Sequence, residues 1–589
     1  GFSGRSETIY SYANCRLVGI SATANGTPWV SAVNETSDAG KPVAKSTTGN
    51  FGDVEMTIPV NNSAKTVGSQ ISSVRVGDSS SVARTFDKRG NLTSIAIEGP
   101  AASPAKQERV NNEHGQPTFI RHPEGNTETL VYDSQNPVFR SRANLRSVTT
   151  DPGPRGGVGH TQTFQYDPAY NQQSGEQVDA NGFSVHYTLT PDKRSIQKID
   201  YNGQGSVTIS YNSKGQPIGT VNQDGVEQTT EYDSGTGFVL SETTGDITLT
   251  YSYDGSVASQ LGRPASVKAP IGFPTTFIYN NRMQPVQIAR GPLVTKTAYD
   301  EIGRAVFNSQ DVGDGKQLIM HYGYDQKGFL TNTTVSGVEV DGTISSYSTG
   351  YTPDRRSRVE TVTHPNGTVQ VYEYDARGNV IKSTFGDYVE EFEYDLNNNL
   401  LSVKHGGDVV RTYSYDGLDR ATTVVQKTGT QDYVRTRTFH RGGQLMSDLF
   451  TDPVFGPVRH LSYDSIDALG RHLTVTMHGT AISPQFSYAY GVRFSEVTAP
   501  RMVSRTVWDS AGNVTEYSNP NFRTVLHRDA SGRVYQMDSM EEGATYSQFY
   551  ELNDMDQRTS LRDLLGLKYE YQPRADGNFT RITNPRNNA

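Results

Sequence analysis

Arg435, Arg437, His440 and Arg441 are the densest group of side chains in this sequence with the chemistry of a reaction site, on one strand and the turn that follows it. Guanidinium groups next to an imidazole or a tyrosine suit proton abstraction beside a uronate, with arginine neutralising the carboxylate while Tyr or His takes the proton. The competing reading, a solvated charged face, is the preferred one. Other chemistries lack their residues. The 12 histidines form no His-x-His or His-Glu-x-x-His pairing, and His472 and His478 are the nearest two in sequence. Cys15 is the single cysteine, which excludes an intrachain disulfide and a cysteine metal cluster. There is no Gly-x-Ser-x-Gly and no Walker sequence. Carboxylates are plentiful, but dispersed positions do not reveal a catalytic pair. No catalytic residue, metal or cofactor is assigned.

Whatever these side chains do, a repeat must position them. Tyr374-Asp375-Ala376-Arg377-Gly378, Tyr394-Asp395 and Tyr415-Asp416 follow one another at intervals of 20 and 21 residues. The phrase is clear again at Tyr299-Asp300 with Gly303 and at Tyr324-Asp325 with Gly328. It survives substitution at Phe86-Asp87 with Gly90, Tyr211-Asn212 with Gly215, and Trp508-Asp509 with Gly512. Worn copies stand at Tyr132, Tyr166, Tyr232, Tyr253 and Tyr463, each followed by Asp, and at Arg528-Asp529. A period of this length marks a repeat architecture.

Each part of the phrase has a physical reason. Asp or Asn at the first position of a four-residue turn accepts hydrogen bonds from backbone amides further on, and Gly at the fourth tolerates the positive φ that closes the turn. Between two phrases the chain reads as a hairpin: 380–385, a Gly386-Asp387 turn, then 388–394 with Tyr388, Phe392 and Tyr394 on one face. A hairpin with one aromatic face cannot bury it alone, so neighbours must pair edge to edge and stack their aromatics. The expected fold is all-β, repeated hairpins joined into one long spiralling antiparallel sheet.

Composition agrees. Apolar residues make up 34%, or about 44% with glycine, against roughly 45–50% in ordinary globular domains. The mean hydropathy is −0.60. Thirty-three tyrosines against two tryptophans suit a thin wall wet on both sides. No run of eighteen apolar residues exists, so no helical membrane span is expected. A net charge of −9 argues against a nucleic-acid partner. The chain starts at Gly1 without a methionine or signal segment, as a processed or trimmed chain does.

Three segments follow. Residues 1–80 lack the phrase, apart from a decayed copy at Tyr10-Ser11-Tyr12, and read as an atypical β segment that caps or plugs the first repeat. Residues 81–575 are the repeat shell, and 576–589 a polar tail. Loop insertions are expected at 99–104, at 151–157 and at 451–457, where a longer hairpin loop precedes a register that resumes at Tyr463. A turn of helix is expected between Leu561 and Leu567.

The Tyr-Asp-x-x-Gly phrase at these intervals resembles the YD repeat of the Rhs family, which includes the B and C components of Tc toxins and the extracellular YD shell of teneurins. The resemblance covers about five sixths of the chain. It implies a β-strip wound into a hollow cocoon, which in bacterial members encloses a toxic segment. Their usual Arg-x-x-Asp-Pro-x-x-Gly-like end, with its aspartyl self-cleavage, has no match after Tyr463. The resemblance therefore implies a secreted or cell-surface protein that encloses or displays a polypeptide, with a toxin segment or a complementary shell chain as partner. Two alternatives stay open: an extracellular scaffold that stacks glycans on exposed Tyr, Trp29 and Trp508 near the loops at Asp151 and Asp452, and a lyase-type enzyme built on the shell.

Overall fold

From strand Ser80–Phe86 to strand Phe579–Thr583 the chain forms 44 strands of one antiparallel sheet that is not closed into a barrel. Each strand pairs with the strands before and after it in sequence, as Val369–Tyr374 does with Val359–Thr363 on one side and Val380–Phe385 on the other. The computed structural model describes side chains over residues 82–583, apart from 99–103, 312–316, 338–343, 355, 480–482, 564 and 574–580. Before residue 80 it gives only the backbone of six strands between Ser6 and Val76, paired in the same order. The reading made for Cys15 lies outside the described residues, as do the side chain of Trp29 and the tail 576–589 apart from strand Phe579–Thr583, which pairs with Lys568–Pro573 and so continues the sheet into the expected tail. No helix among the described residues is long and apolar enough to cross a membrane.

A meander of this kind has two edges. Turns opened by the phrase's aspartate, such as 375–378 and 395–398, fall on one; shorter turns such as 386–387 and 406–407 fall on the other. On the first edge the aspartate performs the capping expected of it. Asp375 Oδ1 accepts the amides of Arg377 at 2.9 Å and of Gly378 and Asn379 at 2.8 Å. Gly378 closes the turn at φ +102. The copies that lack glycine use Asn398 at φ 72 and Asp419 at φ 61, two residue types that tolerate the left-handed region. After each such turn the returning strand carries one extra residue, so Tyr374 faces Val380 while Glu373 faces Lys382.

The tyrosines do not form the aromatic ladders expected from their spacing. Their repeated partners are a carbonyl and an arginine. The hydroxyl of Tyr211 donates to Ile196 O at 2.9 Å, that of Tyr299 to Pro285 O at 3.0 Å, that of Tyr324 to Ala305 O at 3.0 Å and that of Tyr415 to Leu400 O at 2.9 Å. The arginine after a turn lies over the ring of the next repeat: Arg304 over Tyr324 at 4.4 Å, Arg358 over Tyr374 at 4.2 Å and Arg471 over Tyr490 at 4.3 Å. The same arginines close back on their own turn, as Arg304 Nε does on Asp300 Oδ2 at 2.7 Å. Some reach the next turn as well, as Arg420 Nη1 does the carbonyl of His440 at 2.8 Å.

Three expectations are corrected. Residues 451–457 form a tight hairpin, because strand Leu445–Asp452 runs to the turn and Gly456–Ile466 leaves it. Asp452 caps that turn by accepting the amides of Val454 and Phe455 at 2.8 and 3.0 Å. The register resumes at Ile466-Asp467, where Asp467 caps Leu469 and Arg471, and Tyr463-Asp464 lies inside the strand. Leu561 lies in strand Arg558–Arg562, and Asp563 caps the turn before strand Lys568–Pro573, so the described residues there form a hairpin and not a helix. The short helices fall instead at Phe139–Ala143, Gly153–Arg155 and Val257–Gln260.

Replacing Asp375 by alanine is expected to orphan the amides of Arg377 and Asn379, since Gly378 N keeps the Asp375 carbonyl at 3.2 Å, at a local cost of about 1–3 kcal/mol. Hydrogen exchange should accelerate across 369–385 while distant strands keep their protection. Asp375→Asn should cost far less, because Asn212 already caps Lys214 and Gln216 at 2.9 and 3.0 Å in its own turn.

Candidate functional site: the seam between coils

Each Asp-x-x-Gly turn consumes most of its own donors. The aspartate amide bonds across the turn, as Asp375 N does to Asn379 O at 2.9 Å, and the carboxylate takes the later amides. The amide of the residue just after the aspartate has no acceptor inside the turn and points off the edge of the sheet. Three of these amides in the second half of the chain find acceptors on the other edge of the first half. Leu396 N donates to Glu124 Oε1 at 2.7 Å, Gly417 N to Gly156 O at 2.6 Å, and Ala468 N to Gln204 Oε1. The partners are 240 to 284 residues apart in sequence. The sheet therefore winds on itself, and the Asp-turn edge of one coil seats on the hairpin edge of the coil before it.

Ion pairs reinforce this seam. Arg155, on the 151–157 insertion, places Nη1 2.6 Å from Asp395 Oδ2 and bonds Asp419 through Nη2. Its side chain is 19% exposed and that of Asp395 7%, so the pair is largely withdrawn from water. The backbones approach so closely here that a Cβ on Gly417 would stand 1.6 Å from Pro152 O. Further along, Arg493 donates its amide to Asp224 O at 3.0 Å and pairs Nη2 with Glu227 Oε1 at 2.6 Å. Ile271 N donates to Ser531 Oγ at 2.8 Å, and Arg290 pairs with Asp556 at 2.5 Å.

The electrostatics follow from this geometry. Burial pushes the Asp419 carboxyl up, but hydrogen bonds from Asn397, Arg155 and Asn399 and the charge of Arg155 outweigh it and hold its pKa below the ordinary value. Asp556 is held low in the same way, with Arg290 and Arg533 overcoming burial.

The residues singled out from the sequence divide between turn and seam. Asp395 serves both, capping Asn397 and Asn399 while it meets Arg155. The Asp509 turn gives Ser510 O to Glu227 N at 2.9 Å. Trp508 is no open sugar platform, since its Nε1 donates to Asp224 O at 3.3 Å across the seam. The loop at Asp151 is likewise occupied by the seam. Asp87, Asp300 and Asp325 cap their own turns, with Gly90, Gly303, Gly328 and Gly215 at positive φ.

The cluster from Arg435 to Arg441 splits apart. Arg435 and Arg437 face Asp448, while His440 stands on the turn with Nε2 3.0 Å from Tyr463 O. Arg441 lines a cavity of about 440 Å³ at the seam with His122, Glu128 and His160. The imidazole needed for proton abstraction is thus turned away from the paired arginines. Sequence reasoning passed over Arg155 and the arginines after the turns. The latter leave a signal in Gly303-Arg304, Gly470-Arg471 and Gly532-Arg533.

No family model matches the chain. Over 160 residues, 24% of its length, it is 30% identical to double-stranded DNA deaminase toxin A of Burkholderia cenocepacia, covering 11% of that protein. Among solved structures it is similar to TcdB2-TccC3, at 12% identity and a TM-score of 0.48 over 99% of this chain and 40% of the other. It is also similar to the Tc holotoxin pore of Photorhabdus luminescens, at 14% identity and a TM-score of 0.39 over 91% of this chain and 35% of the other. The chain thus spans about a tenth of the curated relative and at most two fifths of these solved chains.

Removing Arg155 leaves Asp395 buried and unpaired, and Arg155→Ala is expected to cost about 3 kcal/mol. The loss should appear as rapid amide exchange at Gly417 and Leu396. Free carboxyls titrate near 3.9; those of Asp419 and Asp556 are depressed in the fold, so their stabilisation is full above about pH 4 and fades as pH falls through the folded pKa. Acidification below about pH 4 should therefore speed exchange at the seam amides before mid-strand amides, and this acid response at Gly417 should shrink in Arg155→Ala.

Proposed function

We propose that this chain is part of the wall of a secreted toxin-delivery shell that encloses a polypeptide cargo, the enclosure being completed by further YD-repeat strip from the same protein or from a complementary chain. The observation that carries this reading is the seam, which locks one coil on the next without a packed core between them. Among the described residues the buried apolar side chains are Ala105, Val185, Ala258, Ala468 and Val475. The accessible surface is 34013 Å², against roughly 20,000 Å² for a compact monomer of this mass. Such a surface suits a wall with two wet faces.

A completing strip has a place to dock. The amides of Lys88, Glu113 and Ser213 hold the seam position in the Asp-turn edge of the first coil, and among the described residues they have no hydrogen-bond partner. The glycan-scaffold and lyase alternatives have less support, because Trp508 and the Asp151 loop are engaged in the seam and His440 is turned from the arginines.

Co-expression of this chain with the polypeptide adjoining it and with a complementary YD-repeat chain is the test. The cargo is expected to resist a protease that cleaves it within minutes once isolated. Equal cleavage rates for the isolated and the co-purified cargo would overturn the reading.

A further inference from the structure

The arginine cluster left over from the seam carries an inference of its own, independent of any cargo. Arg435 grips Asp448 with both arms of its guanidinium, Nε to Oδ1 at 2.6 Å and Nη2 to Oδ2 at 2.8 Å. Arg459 adds Nη2 to Oδ2 at 2.9 Å, and Arg437 stands with Nε 3.6 Å from Oδ1. The Asp448 side chain is 3% exposed beneath them.

One carboxylate thus faces three guanidinium groups, leaving two positive charges over. Among the described residues of these strands the register puts one further carboxylate on this face, Asp452 at the strand end, where Oδ1 accepts two turn amides. Arg437 is opposite Asp448, Arg435 opposite Phe450, and Phe450 opposite Arg459, so all share one side of the sheet. The residues across from Arg435 and Asp448 on the flanking strands are Val424 and Leu461, both apolar. The nearby carboxylates are committed elsewhere: Asp452 to its turn, Asp432 to Lys427, and Asp464 to Thr476. Tyr463 is the other titratable group coupled to Arg435.

The donors are not used up. Arg437 makes no hydrogen bond among the described residues, and Arg459 uses one of its five N–H groups. Asp448 fixes where these forks lie. Tyr433 and Phe450, stacked at 6.4 Å and 16°, form an aromatic wall beside them. Two surplus charges converging on one point match a compact dianion better than a string of separate carboxylates, and the guanidinium fork suits tetrahedral oxyanions.

We propose that Arg437 and Arg459, held in place by Asp448 and Arg435, bind a compact doubly charged oxyanion, the phosphate group of a monoester. The test is calorimetric titration of the intact chain with inorganic phosphate and with sulfate, with sodium chloride holding the ionic strength constant. Both anions are expected to bind saturably and to compete, while acetate does not. Arg437→Gln and Arg459→Gln should each weaken binding at least tenfold with an unchanged melting temperature, since neither leaves Asp448 without the Arg435 grip. Inorganic phosphate affinity should fall below about pH 7 as the dianion takes up a proton, about a unit above the pH of about 6 at which a phosphate monoester does so, and sulfate affinity should hold. Phosphoserine should compete with inorganic phosphate, whereas a sulfated monosaccharide, whose ester sulfate carries a single charge, should not. Lack of saturable binding, binding undiminished in both variants, or failure of phosphoserine to compete would each overturn the assignment.

Discussion

The carboxylate of the turn aspartate is the interaction on which this molecule rests. A strip one sheet thick has no interior to collapse around, so apolar burial cannot set its shape as it does in a globular domain. The backbone ladders supply most of the order, and they hold only if each reversal is made in the right place. Asp375 and its equivalents do this by taking two or three amides that would otherwise compete for water. The same economy leaves one amide per turn free, and that amide builds the next level of structure when Leu396 and Gly417 reach across to Glu124 and Gly156.

The side-chain choices follow from a wall that is half wet everywhere. Tyrosine is preferred to phenylalanine because its hydroxyl can satisfy a carbonyl in the preceding repeat, as Tyr299 does for Pro285, while its ring shields the strand. Arginine after the turn serves three ends at once: it neutralises the turn aspartate, covers the next tyrosine ring and, in Arg420, ties one turn to the following one. Order is thereby passed along the ribbon by nearest neighbours, the expected energetics of a repeat protein.

Much of this was legible from residue order. The hairpin with strands Val380–Phe385 and Tyr388–Tyr394 stands where alternation and a Gly-Asp pair placed it. The misreadings have local causes. Tyr463-Asp464 imitates the phrase but lacks the glycine, and Asp467, three residues on, has it. The 451–457 stretch carries two prolines and two turn residues, a loop composition, yet Pro457 fits beside Thr451 at the end of the pairing. Leu561 to Leu567 has helical spacing of leucines, but Leu561 faces Tyr550 across a ladder, and tertiary pairing overrides propensity there.

By itself the sequence determined the all-β class, the repeat and the turn geometry, because those depend on contacts within four residues or between adjacent hairpins, and such contacts leave a period that can be read. Only the tertiary structure decided that Arg155 would meet Asp395 and Asp419, that Trp508 would be spent on Asp224, and that three arginines would gather on Asp448 while His440 turned away. The first two span 240 to 284 residues and depend on how much the ribbon twists over a full coil, a sum of small angles that no single residue announces. The last depends on strand register, where a shift of one residue sends every side chain to the opposite face.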